Sequence, residues 1–305
     1  MKVKYIKNNQ IDLGKWDNRI NNSINGTIFA FSWYLNILCE NWDALILDDY
    51  NYVMPILYYK KMNQDIILSH KLGKYMGVFS NKILSENIVK QFVKKLPKKS
   101  LLTHIIFNKY NKLNSEWVSK ERTYELDLIQ PYYKISEYFD LEFWRGLHIA
   151  TRKQIAIIKG LRTQDLIDFI KTPKTTTYPA LNKKDFQKIR MILAQGLNYN
   201  LIEIYGAYNT TNELCATVVF IKSKEKIYTL LSSISRNGTN TFAMHLIINK
   251  FIETHSEKKL TLNLENITSI NNIDFFTGVG AQELYYYKYY RNQLPWYYKF
   301  FIKRY

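Results

Sequence analysis

The stretch "LLSSISRNGTNTFAMHLIINKFIETH", residues 230–255, is the one on which the reading of this chain turns. It begins as a strand rich in small polar residues, forms a polar turn around Gly238, and from Thr241 onward places Phe242, Met244, Leu246, Ile247, Phe251 and Ile252 at helical spacing. A strand that enters a helix through such a turn leaves the first helical N–H groups unpaired and the positive end of the helix dipole exposed, so anions gather there. Gly238 admits two readings. It either lets the backbone approach a phosphate, with donors from Arg236, Asn237, Thr239, Asn240 and Thr241 around it, or it belongs to a plain Asn-Gly turn with Thr239 as the helix cap.

Upstream of this stretch, "LIEIYGAY" (201–208), "LCATVVFIK" (214–222) and "IYTLLSSIS" (227–235) read as three strands joined by polar turns, and downstream "LTLNLEN" (260–266) and "ELYYYKYYR" (283–291) return to strand character. The first half has the same order. Strands at 42–47 ("WDALIL"), 52–59 and 65–68 precede a helix at 81–96 with Ser80 or Asn81 as its cap, followed by strands at 101–107 and 123–129. A meander, a helix and two further strands, present twice, imply an α+β protein of two tandem modules, residues 1–130 and 131–305, each a mixed, mostly antiparallel sheet flanked by helices. Between the repeats, "EFWRGLHIATRKQIAIIKG" (142–160) and "KKDFQKIRMILAQGL" (183–197) read as helices, and "KTPKTTTYP" (171–179) as a connecting loop. The first-module stretch "VFSNKILSENIVKQF" lacks the glycine turn, so only the second module is expected to hold a ligand at this junction.

Composition sets the remaining bounds. At 305 residues, with 47% hydrophobic side chains, 11 Gly and 6 Pro, the chain has core material for two domains and little that reads as linker. Forty-three Lys and Arg against 26 Asp and Glu give a formal charge of +17, which draws anions such as phosphates, nucleic acid or acidic lipid headgroups, or merely solvates the surface. The first residues, "MKVKYIKNNQ", lead into no apolar signal region, and no uninterrupted apolar run has the length of a membrane span; a cytoplasmic location is expected, with peripheral membrane contact open to a basic, tyrosine-rich surface. Cys39 and Cys215 are unpatterned, and His70, His104, His148, His245 and His255 show no ligand spacing, so no metal is expected.

The arrangement resembles the tandem GNAT fold of the Fem-type (FemAB-type) peptidyltransferases and related bacterial acyltransferases, including uncharacterised Bacteroidetes-type members. The blocks that carry it are "FAFSWYLNIL" (29–38), "WDALILDDYNYVMPI" (42–56), "LGKYMGVFS" (72–80), "SSISRNGTNTFAMHLI" (232–247), "LNLEN" (262–266) and "FFTGVGAQELYYYKYYRNQLP" (275–295). The resemblance implies an N-acyltransferase, acting for example as an N-acetyltransferase, with acyl-CoA or acetyl-CoA as co-substrate and an unknown amine acceptor, either a small molecule or a cell-envelope precursor. It places the pantetheine arm on the backbone of Leu231, Ser232 and Ser233 and the pyrophosphate on Arg236, Asn237, Gly238, Thr239, Asn240 and Thr241, although Asn240 and Thr241 stand where small residues or glycine are usual. Fem-type enzymes draw instead on aminoacyl-tRNA, a donor that the +17 charge suits. A third reading is a non-catalytic protein that binds anions or nucleic acid on the same scaffold. Amine acylation needs a proton acceptor, for which Glu265 in "LNLEN" is the candidate, with Asn263 where the related proteins carry an aspartate, and a proton donor, for which Tyr285 is the candidate. Trp33 and Tyr34 are candidates for the acceptor pocket, or brace the first helix, and Arg152 and Lys153 are candidates for binding an anionic acceptor.

Overall fold

In a computed structural model, residues 2–61, 64–173, 175–267 and 272–293 are described. The last two residues of the 275–295 block lie outside them. The chain divides into two units, one of residues 1–121 and 285–305 and the other of residues 122–284.

Unit 1 contains β1 (Lys4–Ile6), α1 (Leu13–Asn22), α2 (Ser32–Leu38), β2 (Trp42–Leu47), β3 (Tyr52–Lys61), β4 (Gln64–Leu68), β5 (Phe79–Ser80), α3 (Glu86–Lys95) and β6 (Leu102–Ile106). Alternating apolar residues place β2, β3 and β4 in an antiparallel meander, and β4 then runs parallel to β6, pairing Ile66 with Leu102 across the α3 connection. The C-terminal strand β14 (Gln282–Asn292) lies antiparallel to β6, with Lys288 opposite Ile106. The expected helix at 81–96 begins later, at Glu86, because Ser85 accepts the Ile88 N–H and caps it, and Ile83 stands in solvent. Trp16 and Trp42 anchor the core with ring centroids 4.8 Å apart, and their indole N–H groups donate to Ala30 O and Asn36 Oδ1. Two buried indoles with satisfied donors give large apolar contact without an orphaned polar atom.

Unit 2 contains β7 (Val118–Asp127, of which residues 122–127 belong here), α4 (Tyr132–Ser136), α5 (Leu141–Arg152), β8 (Ala156–Lys159), α6 (Thr163–Lys171), β9 (Thr175–Tyr178), α7 (Lys183–Asn198), β10 (Ile202–Tyr208), β11 (Leu214–Ser223), β12 (Lys226–Ser235), α8 (Arg236–Asn240), α9 (Ala243–His255), β13 (Thr261–Asn263) and α10 (Asn272–Gly278). Here too an antiparallel meander, β10 to β12, is followed by a helix and a parallel step, with Ile227 of β12 opposite Leu262 of β13. Two stretches differ from expectation. The helix expected to run through 160 stops at Arg152, and 156–159 forms a strand on β10, bounded by Gly160 at φ +86°. The expected loop 171–179 contains β9, whose three threonines and tyrosine are strong strand formers beside an available edge.

The unit 2 core is the face between the sheet and helices α5 and α9. Phe220, Phe251 and His255 stack in succession, with centroids 3.8 and 4.0 Å apart and Tyr205 edge-on to both phenyl rings. The stack ends in a polar cluster. Nδ1 of His255 lies 3.0 Å from Phe251 O and Nε2 lies 3.2 Å from Glu203 Oε1, while Lys159 Nζ lies 3.1 Å from Glu203 Oε2 and Tyr205 Oη donates to the same oxygen at 3.2 Å. Burial pushes the Glu203 carboxyl up, but the His255 and Lys159 contacts outweigh it and hold it at about 2.

A depressed carboxylate contributes stability above its unfolded value near 4.5 and loses it as pH falls toward 2. Chemical denaturation between pH 6 and 2 is therefore expected to show a loss of roughly 1–2 kcal/mol across that window, discounted for the partial exposure of the pair, that Glu203→Gln does not show.

Candidate functional site

Strand β12 changes partners halfway along its length. A bulge falls at Leu230, because Val219 of β11 faces Leu231 while the adjoining Phe220 faces Thr229. Before the bulge, Lys226–Tyr228 pair with β13. Beyond it, Ser232, Ser233, Ile234 and Ser235 pair with Tyr178, Thr177, Thr176 and Thr175 of β9, and the Thr177 and Ser233 hydroxyls meet at 2.8 Å. Asn266 fills the gap: its Nδ2 donates to Leu230 O, its backbone N–H to Thr229 Oγ1, and its carbonyl accepts from Ser232 Oγ. Of Leu231, Ser232 and Ser233, whose backbone is expected to carry a pantetheine arm, Ser232 and Ser233 thus pair with β9, and all three residues are buried.

The expected phosphate loop is a short helical turn, α8. Ser235 caps it by accepting the Gly238 N–H at 3.1 Å, while its own hydroxyl donates to Cys215 O. Gly238 is buried because a Cβ there would lie 2.2 Å from Cys215 O, so the close approach that glycine permits at this position is of α8 onto β11. The Thr239 and Thr241 hydroxyls donate back to Ser235 O and Asn237 O, whereas Arg236, Asn237 and Asn240 face solvent. Phe242 then takes a left-handed conformation, φ 54°, to redirect the chain into α9. Beside α8 lies a cavity of about 280 Å³ lined by Ile234, Thr239, Phe242 and His245 together with the carboxylates of Asp140, Glu142 and Asp274. Burial lowers the His245 imidazole to about 4, although Asp140 raises it, so it is neutral at physiological pH. The charges in this lining oppose a pyrophosphate.

Glu265 lies just beyond β13, part-exposed, where its backbone N–H donates to Asn263 Oδ1. Tyr285 is half-exposed in unit 1, with Lys120 Nζ 5.6 Å from its ring centre. Tyr34 is fully buried and donates to Leu72 O at 2.5 Å, and Trp33 packs edge-on to it. Arg152 and Lys153 are exposed at the end of α5. Sequence reasoning missed a buried charged cluster at the start of β12: Lys226 Nζ contacts Glu125 Oε1 at 2.5 Å, and Asn263 Nδ2 donates to Thr123 Oγ1 at 2.9 Å and to Glu125 Oε1 at 3.4 Å. Tyr228 is buried in the same strand, and burial, then the Glu125 charge, raise its phenol. The signal available was Glu125 between Tyr124 and Leu126 in the strand "TYELDLI", a carboxylate among apolar neighbours that demands a partner once buried. Among the described residues, no group of His, Cys, Asp and Glu is placed to hold a metal ion, and no helix is long and apolar enough to cross a membrane.

Solved structures with this arrangement include FemX (TM-score 0.62, 10% identity, 97% of this chain and 99% of that one), a conserved protein of unknown function from Bacteroides thetaiotaomicron (0.57, 10%, 92% and 97%) and a C-terminal domain assigned to lysylphosphatidylglycerol synthetase from Agrobacterium fabrum (0.52, 10%, 92% and 91%). The chain carries a Fem-like, GNAT-type fold. No family model matches the sequence, and no curated protein does. At this identity it is the fold that is shared.

Two substitutions separate packing from binding at this junction. Gly238→Ala is expected to destabilise the protein by about 2–4 kcal/mol, read as a lowered melting temperature, since neither β11 nor α8 can yield to a Cβ. Lys226→Met removes the cation beside the buried Glu125 carboxylate and is expected to lose about 3 kcal/mol, most of which Glu125→Gln in the same chain restores.

Proposed function

We propose that the protein transfers an acyl group to an amine and takes that group from an aminoacyl-tRNA, not from acyl-CoA. The observation that carries this reading is the seat of β9 on Ser232–Ser235: a pantetheine arm that used the same backbone groups would have to displace a paired strand. Two others support it. The formal charge of +17 suits a polyanionic donor, and the carboxylates in the cavity beside α8 suit phosphate poorly. The fold shared with FemX and with a domain whose name joins a lysyl group to phosphatidylglycerol fits the same class.

In the proposed reaction the amine nitrogen attacks the ester carbonyl of the aminoacyl group, the N–C bond forms, and the C–O bond to the terminal ribose breaks. Glu265 accepts the proton from nitrogen, and the departing oxygen takes one from a general acid, a role for which the sequence offers the Tyr285 phenol. Of the residues the sequence offered for the donor, the Arg236–Thr241 turn stays the candidate for contact, with Arg236, Asn237 and Asn240 its exposed members, whereas Leu231–Ser233 are buried beside β9. Envelope precursors and small amines are the acceptor classes considered, and contact with an anionic membrane face agrees with the charge.

The test is a direct comparison of donors. The purified chain, offered labelled aminoacyl-tRNA or labelled acetyl-CoA with a panel of amines, is expected to transfer label from the tRNA only, with tRNA binding that weakens steeply as salt rises. Glu265→Gln is expected to lower the transfer rate by roughly 100-fold or more while leaving the melting temperature unchanged. Saturable acetyl-CoA binding that Arg236→Ala removes would overturn the choice of donor.

A further inference from the structure

The cavity beside α8 is built from rings and carboxylates. Phe143, Phe242 and Phe275 surround the His245 imidazole, with ring centroids 5.2, 5.0 and 4.8 Å from it, and all four rings line the space. Gly146 permits that packing, because a Cβ there would come within 2.6 Å of His245 and 2.9 Å of Phe242. His245 Nδ1 is sealed from solvent with no hydrogen-bond partner. Asp140, the cap of α5, spends Oδ1 on the Phe143 N–H, and Asp274 stands exposed in the first turn of α10. Glu142 is answered by Arg145 at 3.4 Å. No Lys or Arg is among the described residues that line the cavity.

Aromatic faces attract a cation, and the Asp140 and Asp274 carboxylates beside them add to that attraction. An anion of the same shape meets only repulsion. A volume of about 280 Å³ is at the low end for ligand sites and suits a molecule of amino-acid size. We propose that this cavity binds a small primary ammonium bearing an aromatic or branched apolar body, the ammonium between Asp140 and Asp274 and the body against Phe143, Phe242 and Phe275. Calling that amine the acyl acceptor rests on the acyltransferase reading; its binding does not.

Calorimetric titration of the full chain at neutral pH with 2-phenylethylamine and with its anionic counterpart 3-phenylpropionate tests the proposal. The amine is expected to bind saturably at one site, the acid at least tenfold more weakly. Asp140→Asn combined with Asp274→Asn is expected to weaken the amine at least tenfold, and asparagine still caps α5. If that variant lacks a cooperative melt, Asp274→Asn alone, at an exposed position, is read instead, with a loss of at least threefold expected. Equal affinity for amine and acid, an amine affinity untouched by the substitutions, or no saturable amine binding overturns the assignment. An amine that binds here yet receives no acyl group from any donor leaves this site standing and retires the acyltransferase reading. Acylation of an amine whose binding ignores Asp140 and Asp274 does the reverse.

Discussion

The structure of unit 2 depends on how the open edge of β12 is satisfied once β13 parts from it. A buried strand edge with unpaired N–H and C=O groups is costly, and here the pairing with β13 ends at Tyr228, just before the bulge at Leu230. Three kinds of partner divide the edge. β13 takes Lys226–Tyr228, Asn266 reaches Thr229 and Leu230, and β9 takes Ser232–Ser235. The small side chains of Ser232, Ser233 and Ser235 follow from this arrangement: Ser232 turns its hydroxyl to Asn266, Ser233 to Thr177, and Ser235 to Cys215 and Gly238. A bulky residue at any of them would displace one of these partners.

The same economy shapes the junction into α9. Ser235 both ends the strand and caps the five-residue α8, and Gly238 lets α8 lie on the Cys215 carbonyl. Because α8 and α9 are separate helices, the chain must turn between them, and Phe242 does so in the left-handed region that a non-glycine residue adopts only when its surroundings impose it. What imposes it is visible: the Phe242 ring packs on His245, and its carbonyl accepts the His245 N–H at 3.0 Å. Backbone strain and cavity wall are thus the same residue.

Much of this order was legible in the sequence. The strand 42–47 falls where its alternation puts it, the three strands of each meander and the helix α7 do so within a residue or two, and the recurrence of a meander followed by a helix and further strands was read from order and spacing, the parallel pairing within it not. What escaped were pairings. The threonines of β9 looked like loop because two prolines bracket them, and their strand character emerges only against the free edge of β12. Residues 156–159 carried helical-looking apolar spacing but had β10 to pair with. Glu125 and Lys226 are 101 positions apart, and nothing local in either segment announces the other. Periodicity reports which face is buried; it does not report what lies across from it.

Charge is the last property that composition and structure divide between them. The +17 of the whole chain acts over a distance of about 8 Å in physiological salt, so it concentrates polyanions near the surface without choosing where they dock. The carboxylates beside α8 act at contact range, in a lining of phenyl rings where water screens them less. A protein with only the first property would be a nonspecific anion binder. With both, opposite preferences act at two length scales, and the reaction proposed here would draw on that separation, because a single uniform field would repel either a polyanionic donor or an amine that arrives as its ammonium.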